Sequence, residues 1–252
     1  MFTAHNILLP NGRKTIPDSD ALISESGQMK SVSRFINLLY RGDYYGKSIV
    51  DLGCLEGGYT VEFAKMGMIS TGIEVRSSNI YNCKIVESEF SLGNLRFIQD
   101  DAWNLERYGV YDVVYCSGLL YHLDRPLSFL KMISRCARDA VIIHTHFAPN
   151  FDSEVFRLSS LVESEGLSGR WYLEHDIDDV EELDRFRWTS WSNKKSFWLE
   201  RKSILQAIND VGFNIVMEQF DWLEPNVVSA MSEGGYYESH SRGLFVGVKR
   251  LR

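Results

Sequence analysis

Five short apolar runs recur between residues 48 and 146, and no other feature narrows the fold so far. They are SIVDLG (48–53), ISTGIEV (69–75), LRFIQ (95–99), YDVVYC (111–116) and AVIIHTH (140–146). Segments of helical length lie between and behind them, among them TVEFAKMG, NIYNCKIVESEF and PLSFLKMISRCA. Strands that alternate with helices predict an α/β chain with a parallel sheet covered on both faces. Ahead of the first run, SVSRFINLLY has helical periodicity, with Val32, Phe35, Ile36 and Leu39 on one side. Pro10-Asn11-Gly12 marks a turn in an otherwise polar N-terminal stretch.

After residue 147 the rhythm stops. The stretch to about 195 is rich in Glu, Asp, Arg and Trp and reads as an insertion or lid. FWLERKSILQAINDVG then predicts one long amphipathic helix anchored by Leu199, Ile204, Leu205 and Ile208 and closed by Gly212. FNIVMEQF and GLFVGVKR predict two further strands.

Composition removes several function classes. The net charge of -7 argues against a broad nucleic-acid surface. No apolar run approaches the roughly 20 residues that span a bilayer. Cys54, Cys83, Cys116 and Cys136 are scattered, which suits neither a zinc knuckle nor a disulfide framework. MFTAHNILLPNGRKT lacks the charged-then-apolar layout of a secretion signal. A cytoplasmic location is therefore expected.

The first run leads into a glycine turn, VDLGCLEGGYT (50–60). A dinucleotide fingerprint needs a second glycine where Leu55 stands, and a phosphate loop needs a lysine that is absent here. What remains is Asp51-x-Gly53-x-x-x-Gly57-Gly58. Acidic residues follow at the next two strand ends, Glu74 and Asp100-Asp101, and small residues at the fourth, Cys116-Ser117-Gly118. Ligands of open α/β sheets bind outside these carboxyl ends.

This order of motifs resembles the class I, Rossmann-like S-adenosylmethionine-dependent methyltransferases, well over 45–148 and in outline over 196–250. The resemblance implies a seven-stranded, mostly parallel sheet with helices on both faces and an antiparallel last strand. It implies S-adenosyl-L-methionine as cofactor and S-adenosyl-L-homocysteine as product. Gly53 and Gly57, with Cys54 between them, would lie under the methionine half, and Asp51 would help hold its amino group. Glu74 would take the ribose, Asp101 and the Ala102 backbone the adenine, and Cys116 and Ser117 would flank the methionine.

A narrower likeness runs through HNILLPNG, DLGCLEGGYT, LLYHLDRP (119–126) and SNKKSFWLERKSILQAINDVGF. It resembles the group containing the tRNA wobble-uridine carboxymethyltransferases, which also holds many small-molecule methyltransferases. The carboxylated cofactor of the former calls for a cation near the transferred group, and the sequence identifies none.

Methyl transfer to oxygen or nitrogen usually needs a base near the acceptor. Tyr121 and His122 follow the fourth strand directly. His144 and His146 lie two apart in the fifth, hence on one face. With Glu174, His175 or Asp176 those histidines have ligand types for a metal, but two histidines alone do not define one, and no metal is expected. Trp171, Trp188, Trp191 and Trp198, with Asn193, sit beside Arg170, Arg185, Arg187, Lys194 and Lys195. Such a group suits a lid over an aromatic or anionic small molecule. The surrounding acids, including Asp152, Glu154, Glu163, Glu165, Asp178, Asp179, Glu181, Glu182 and Asp184, would repel a phosphate backbone.

The sequence thus predicts one methyltransferase domain. Its parts are an N-terminal extension (1–45), a cofactor-binding core (46–148), a lid insertion (149–198), and a C-terminal helix with a strand pair (199–252). A small organic acceptor is expected, with tRNA as the runner-up partner and a catalytically silent cofactor-binding subunit as the other alternative. Acceptor atom and oligomeric state are not legible.

Overall fold

Each of the five apolar runs forms a strand: four are enclosed on both sides over most of their length, and LRFIQ is an edge strand with Arg96 and Gln99 exposed. The structure, a computed structural model, describes residues 1–151, 156–186 and 188–249. Asp152, Glu154 and Arg187, counted above, lie outside the described residues. The strands are β1 (Ser48–Leu52), β2 (Ile69–Glu74), β3 (Leu95–Gln99), β4 (Tyr111–Ser117) and β5 (Ala137–His146). Helices α1 (Gly27–Tyr40), α2 (Gly58–Lys65), α3 (Ser77–Phe90) and α4 (Pro126–Cys136) accompany them. Alternation sorts the side chains into two cores. Val50, Leu52, Val141 and Ile143 pack with Phe129 and Ile133 of α4. Ile49, Val113, Tyr115 and Ile142 pack with Val32, Phe35 and Ile36 of α1.

α1 begins earlier than its periodicity suggests. Ser26 caps it by accepting from Met29 N at 3.1 Å. A Cβ on Gly27 would lie 2.2 Å from the Trp222 carbonyl oxygen, so glycine alone permits this docking.

The insertion is more regular than its composition implies. β6 (Val162–Ser164), β7 (Leu167–Leu173) and β8 (Lys195–Leu199) form a three-stranded antiparallel sheet, and α5 (Val180–Arg185) lies between the last two. Glu165 in the β6–β7 turn reaches back to the start of α4. Its carboxylate accepts from Leu127 N at 2.8 Å and Ser128 N at 3.0 Å, satisfying N–H groups the helix leaves open.

The long helix expected from FWLERKSILQAINDVG is therefore two elements. Phe197, Trp198 and Leu199 belong to β8, and helix α6 covers only Arg201–Asp210. Ser196 through Leu199 are four consecutive buried residues. One face of a helix cannot bury four in a row, whereas a strand covered on both sides can. Leu199 is thus no helix anchor, while Ile204 and Ile208 are. Gly212 follows the helix at φ +103°.

β9 (Ile215–Gln219) and β10 (Arg242–Val248) complete the main sheet in the order β3-β2-β1-β4-β5-β10-β9. β10 runs antiparallel to both neighbours. No described helix is long and apolar enough to cross a membrane.

Candidate active site

The carboxyl ends of β1 to β4 converge on a cavity of ≈ 330 Å³. Four further segments close it: the N-terminal strap, the start of α1, the lid loop at 188–192, and the first residue of β10.

The glycine turn is built to be held rather than to be empty. Gly53 and Gly57 take φ +67° and +80°, and Leu55 between them takes +48°. A Cβ on Gly57 would meet the Phe97 ring at 2.5 Å, so the room made there is filled by the protein itself. Gly57 accordingly stands behind the turn, while Gly53, Cys54 and Leu55 line the cavity. Glu74 fixes the turn from the end of β2, accepting from Leu55 N at 3.0 Å and Arg76 N at 2.9 Å. Burial raises its pKa; the bonds from Arg76 and Leu55 oppose that without cancelling it. Each oxygen keeps capacity for another donor.

Asp51 is 2 % exposed and accepts from Thr60 Oγ1 at 2.7 Å. Burial pushes its pKa up to about 7. Asp101 caps the short turn of helix after β3 by accepting from Trp103 N at 3.0 Å, with Ala102 beside it in the wall. Its neighbour Asp100 is occupied by Tyr108 Oη and Asn104 Nδ2. At β4, Ser117 Oγ accepts from Gln28 Nε2 at 2.7 Å, while Cys116 is fully buried outside the wall.

The histidines divide. His122 lines the cavity, and its Nδ1 lies 2.9 Å from both carboxylate oxygens of Glu174. Burial pushes the Glu174 pKa up, but the His122 bond and charge, with bonds from Ser196 and Ser190, hold it below the ordinary value. Glu174 is thus a carboxylate, Nδ1–H is the donor, and Nε2 is left as the basic nitrogen. Tyr121 lies against this ring with centroids 4.2 Å apart, also in the wall.

His144 and His146, expected to face the acceptor, lie outside the wall. His144 packs against Trp222 at 4.7 Å, and burial holds its pKa far below the ordinary range. His146 stacks on Trp198 at 5.0 Å and donates from Nδ1 to the His240 carbonyl oxygen. Burial first, then the charge of Arg242, lowers its pKa to about 4. Both rings are spacers between β5 and its cover. Among the described residues no group of three or more His, Cys, Asp and Glu is arranged to hold a metal ion.

The tryptophans divide in the same way. Trp188 and Trp191 line the cavity. Trp198 is buried in β8 against His146, and Trp171 packs on Phe197 at 4.9 Å, so these two dock the lid onto the main core instead of facing the cavity. Asn193 donates to the carbonyl oxygens of His122 at 3.0 Å and Lys195 at 2.6 Å, tying lid to loop. Lys194 is engaged by Asp176 and Asp178 on the surface.

Several residues of the site were not singled out in the sequence. Arg76 is buried behind the lid loop, donating to the carbonyl oxygens of Phe186 and Thr189, with its guanidinium 5.1 Å from the Trp191 ring. Glu56, buried in the glycine turn, accepts from Thr3 N at 2.9 Å, Ala4 N at 2.9 Å and His5 N at 3.0 Å. These bonds draw the N-terminal strap across the cavity mouth, where His5 Nδ1 accepts from Gly58 N. Arg242 supplies a cation that the sequence did not identify.

The donor set suits an adenosyl sulfonium. Glu74 can accept from vicinal hydroxyls, Ile73, Val75 and Ala102 offer apolar contact for a base, and Asp51 provides negative charge near a cationic centre.

Comparison with known proteins agrees with that chemistry. A family model described as "Methyltransferase domain" matches residues 27–218, about three quarters of the chain. A ubiquinone biosynthesis O-methyltransferase of Colwellia psychrerythraea (strain 34H / ATCC BAA-681) is 29% identical over 105 residues. That match spans 41% of this chain and only 42% of that protein's length. A tRNA U34 carboxymethyltransferase of Helicobacter hepaticus (strain ATCC 51449 / 3B1) is 23% identical, over 66% of this chain and 58% of its own. Among solved structures, the N-terminal domain of EvdMO1 with SAH bound shares the fold. It has a TM-score of 0.66 at 22% identity and covers 88% of this chain and 81% of that one.

Proposed function

We propose, from the premise that this chain belongs to the methyltransferase-domain family, that it moves a methyl group from S-adenosylmethionine to a small organic acceptor. When bound, the cofactor supplies a methyl carbon made electrophilic by the adjacent sulfonium. The chain's own residues supply the binding and the proton transfer. Glu74, Asp51 and Asp101 hold the polar groups of the cofactor at the ends of β1 to β3. Glu174 fixes the His122 tautomer, so Nε2 takes the proton of the acceptor O–H or N–H as the new bond to carbon forms. Transfer would leave His122 protonated at Nε2, with S-adenosylhomocysteine as the product. A Glu174 carboxylate at 2.9 Å stabilises that imidazolium.

The observation that carries this reading is His122, backed by the buried Glu174, in the same wall as Asp51, Glu74 and Asp101. The enclosure supports the acceptor class. The strap and the lid loop leave a cavity of ≈ 330 Å³, sized for a compact molecule beside part of a cofactor. The lid carries Asp176, Asp178, Glu181 and Glu182 at its surface, which disfavours a phosphate backbone.

The test uses S-adenosylmethionine labelled in the methyl group. The protein is incubated with a small-molecule extract and, separately, with total tRNA. Label entering the small-molecule fraction, and lost in His122→Ala, supports the proposal. Label entering only tRNA would replace the acceptor class, and no cofactor binding would remove the reading altogether.

A further inference from the structure

Arg242 opens β10 and lines the cavity. Its position is defined by Gly118, just past β4: a Cβ there would lie 3.8 Å from Arg242 Nη2 and 4.0 Å from Tyr121 Oη. The guanidinium carbon is 5.8 Å from the Tyr121 ring centroid. Arg242 Nε is buried and makes no hydrogen bond among the described residues.

Nor do the nearby acids neutralise it. Glu174 is engaged by His122 and Ser190 N, and Glu218 by Arg201 and Tyr237. The two histidines around it, His144 and His146, are held neutral, by burial first and by the Arg242 charge second. Among the described residues Arg242 forms no ion pair, and its Nε has no partner. A partly buried guanidinium with an unsatisfied N–H and no counter-charge costs free energy that a bound anion would recover. A guanidinium is also the side chain best shaped to hold a carboxylate through two parallel bonds.

We infer that Arg242 is the anion-binding residue of the acceptor subsite, and that the acceptor carries a carboxylate which this guanidinium holds beside Tyr121. The inference rests on the methyltransferase reading above and gives its acceptor a charge. Arg242 meets the stretch after β4 that also carries Tyr121 and His122, the side of the cavity assigned to the acceptor. The polar side chains at the ends of β1 to β3 that were assigned to the cofactor are acidic. A carboxylate held here would orient the acceptor, so its nucleophilic atom meets His122 in one pose.

The test is calorimetric titration of the protein loaded with S-adenosylhomocysteine. Benzoate and its neutral methyl ester are the probes, against wild type, Arg242→Met and Arg242→Lys, with thermal midpoints as a folding control. The expected result is benzoate binding at millimolar strength or better, weakened at least about tenfold in Arg242→Met and partly restored in Arg242→Lys. The ester shows no such difference, and affinity for S-adenosylhomocysteine stays within about threefold in both variants.

Benzoate binding that is absent, or equal in wild type and Arg242→Met, overturns the inference. So does a large loss of S-adenosylhomocysteine affinity in Arg242→Met, which would give the arginine to the methionine carboxylate of the cofactor. Preferential binding of a carboxylated S-adenosylmethionine that depends on Arg242, without any benzoate effect, would move the anion onto the transferred group and also overturn it. If wild type takes no S-adenosylhomocysteine, the methyltransferase reading itself falls, a failure distinct from the others.

Discussion

The two halves of the cavity are made differently. The cofactor half is assembled from strand ends that are neighbours in both sequence and space: Asp51 and Gly53 at the end of β1, Glu74 at the end of β2, Asp101 just after β3. The side chains assigned there to the cofactor are acidic, and Asp51 and Glu74 are buried. The acceptor half is assembled from afar: His122 after β4, backed by Glu174 after β7, with Trp188 and Trp191 in the lid and Arg242 at the start of β10. Its groups are a histidine–carboxylate pair, aromatics and a cation. A half built locally can be specified by a motif; a half built by tertiary docking is specified only once the lid and the last strand are in place. The first suits a constant ligand and the second a variable one.

The largest effect that would break this division is on turnover. His122→Ala is expected to cost about 10²- to 10⁴-fold in labelled methyl transfer while leaving cofactor affinity nearly unchanged. A comparable loss of cofactor binding would show that the halves are not separable. Next comes Glu74→Ala, which removes the turn's anchor and a hydrogen-bonding carboxylate together. It should weaken cofactor binding about 10- to 100-fold in calorimetry.

Asp51 sharpens the contrast through pH. Its folded pKa is raised to about 7 by burial. The protonated carboxyl therefore stabilises the ligand-free fold most below about pH 4, and that contribution is lost as pH rises through about 7. A cationic ligand favours the charged form, so cofactor binding near neutral pH should release protons. Titration in buffers of different ionisation enthalpy measures this, and Asp51→Asn should abolish it. Proton release unchanged in the variant would take Asp51 out of the cofactor half.

The smallest expected effect lies at the strap, which covers the cofactor half without sharing its motif. Burial lowers the His5 pKa to about 4, against a raising influence of Glu56. His5 thus contributes stability that is present above about pH 6.5 and lost as pH falls through about 4. Amide exchange of residues 3–7 should accelerate over that window, and His5→Asn should flatten the response. No change in exchange would mean that the strap is held independently of His5.

Legibility in the sequence follows the same line. The parallel sheet was readable because β1, β2, β4 and β5 are largely buried on both sides and so are near-continuous apolar runs, while edge strand β3 still buries Leu95 and Phe97 in alternation. The acids at strand ends were readable because each stands within two residues of the carboxyl end of its strand. FWLERKSILQAINDVG misled because α6 is amphipathic and β8 precedes it without a breaker; the pairing of β8 with β7, which decides the matter, is not local. Glu174 stood out only as one of three consecutive metal-ligand types, yet its partner is a single histidine 52 residues away. His144 and His146 carried the right residue type at a strand end, but the strands and turns that bury them come from later in the chain. Arg242 had no signal at all, since Gly118 and Tyr121, which place it in the cavity, lie more than a hundred residues earlier.

The most direct test is calorimetric titration with S-adenosylhomocysteine of wild type, Glu74→Ala and His122→Ala side by side, with NAD as control. Micromolar binding to wild type and His122→Ala, weakened in Glu74→Ala and absent for NAD, is the predicted result. No binding to wild type, or equal binding to all three, would contradict the assignment of the buried strand-end acids to the cofactor.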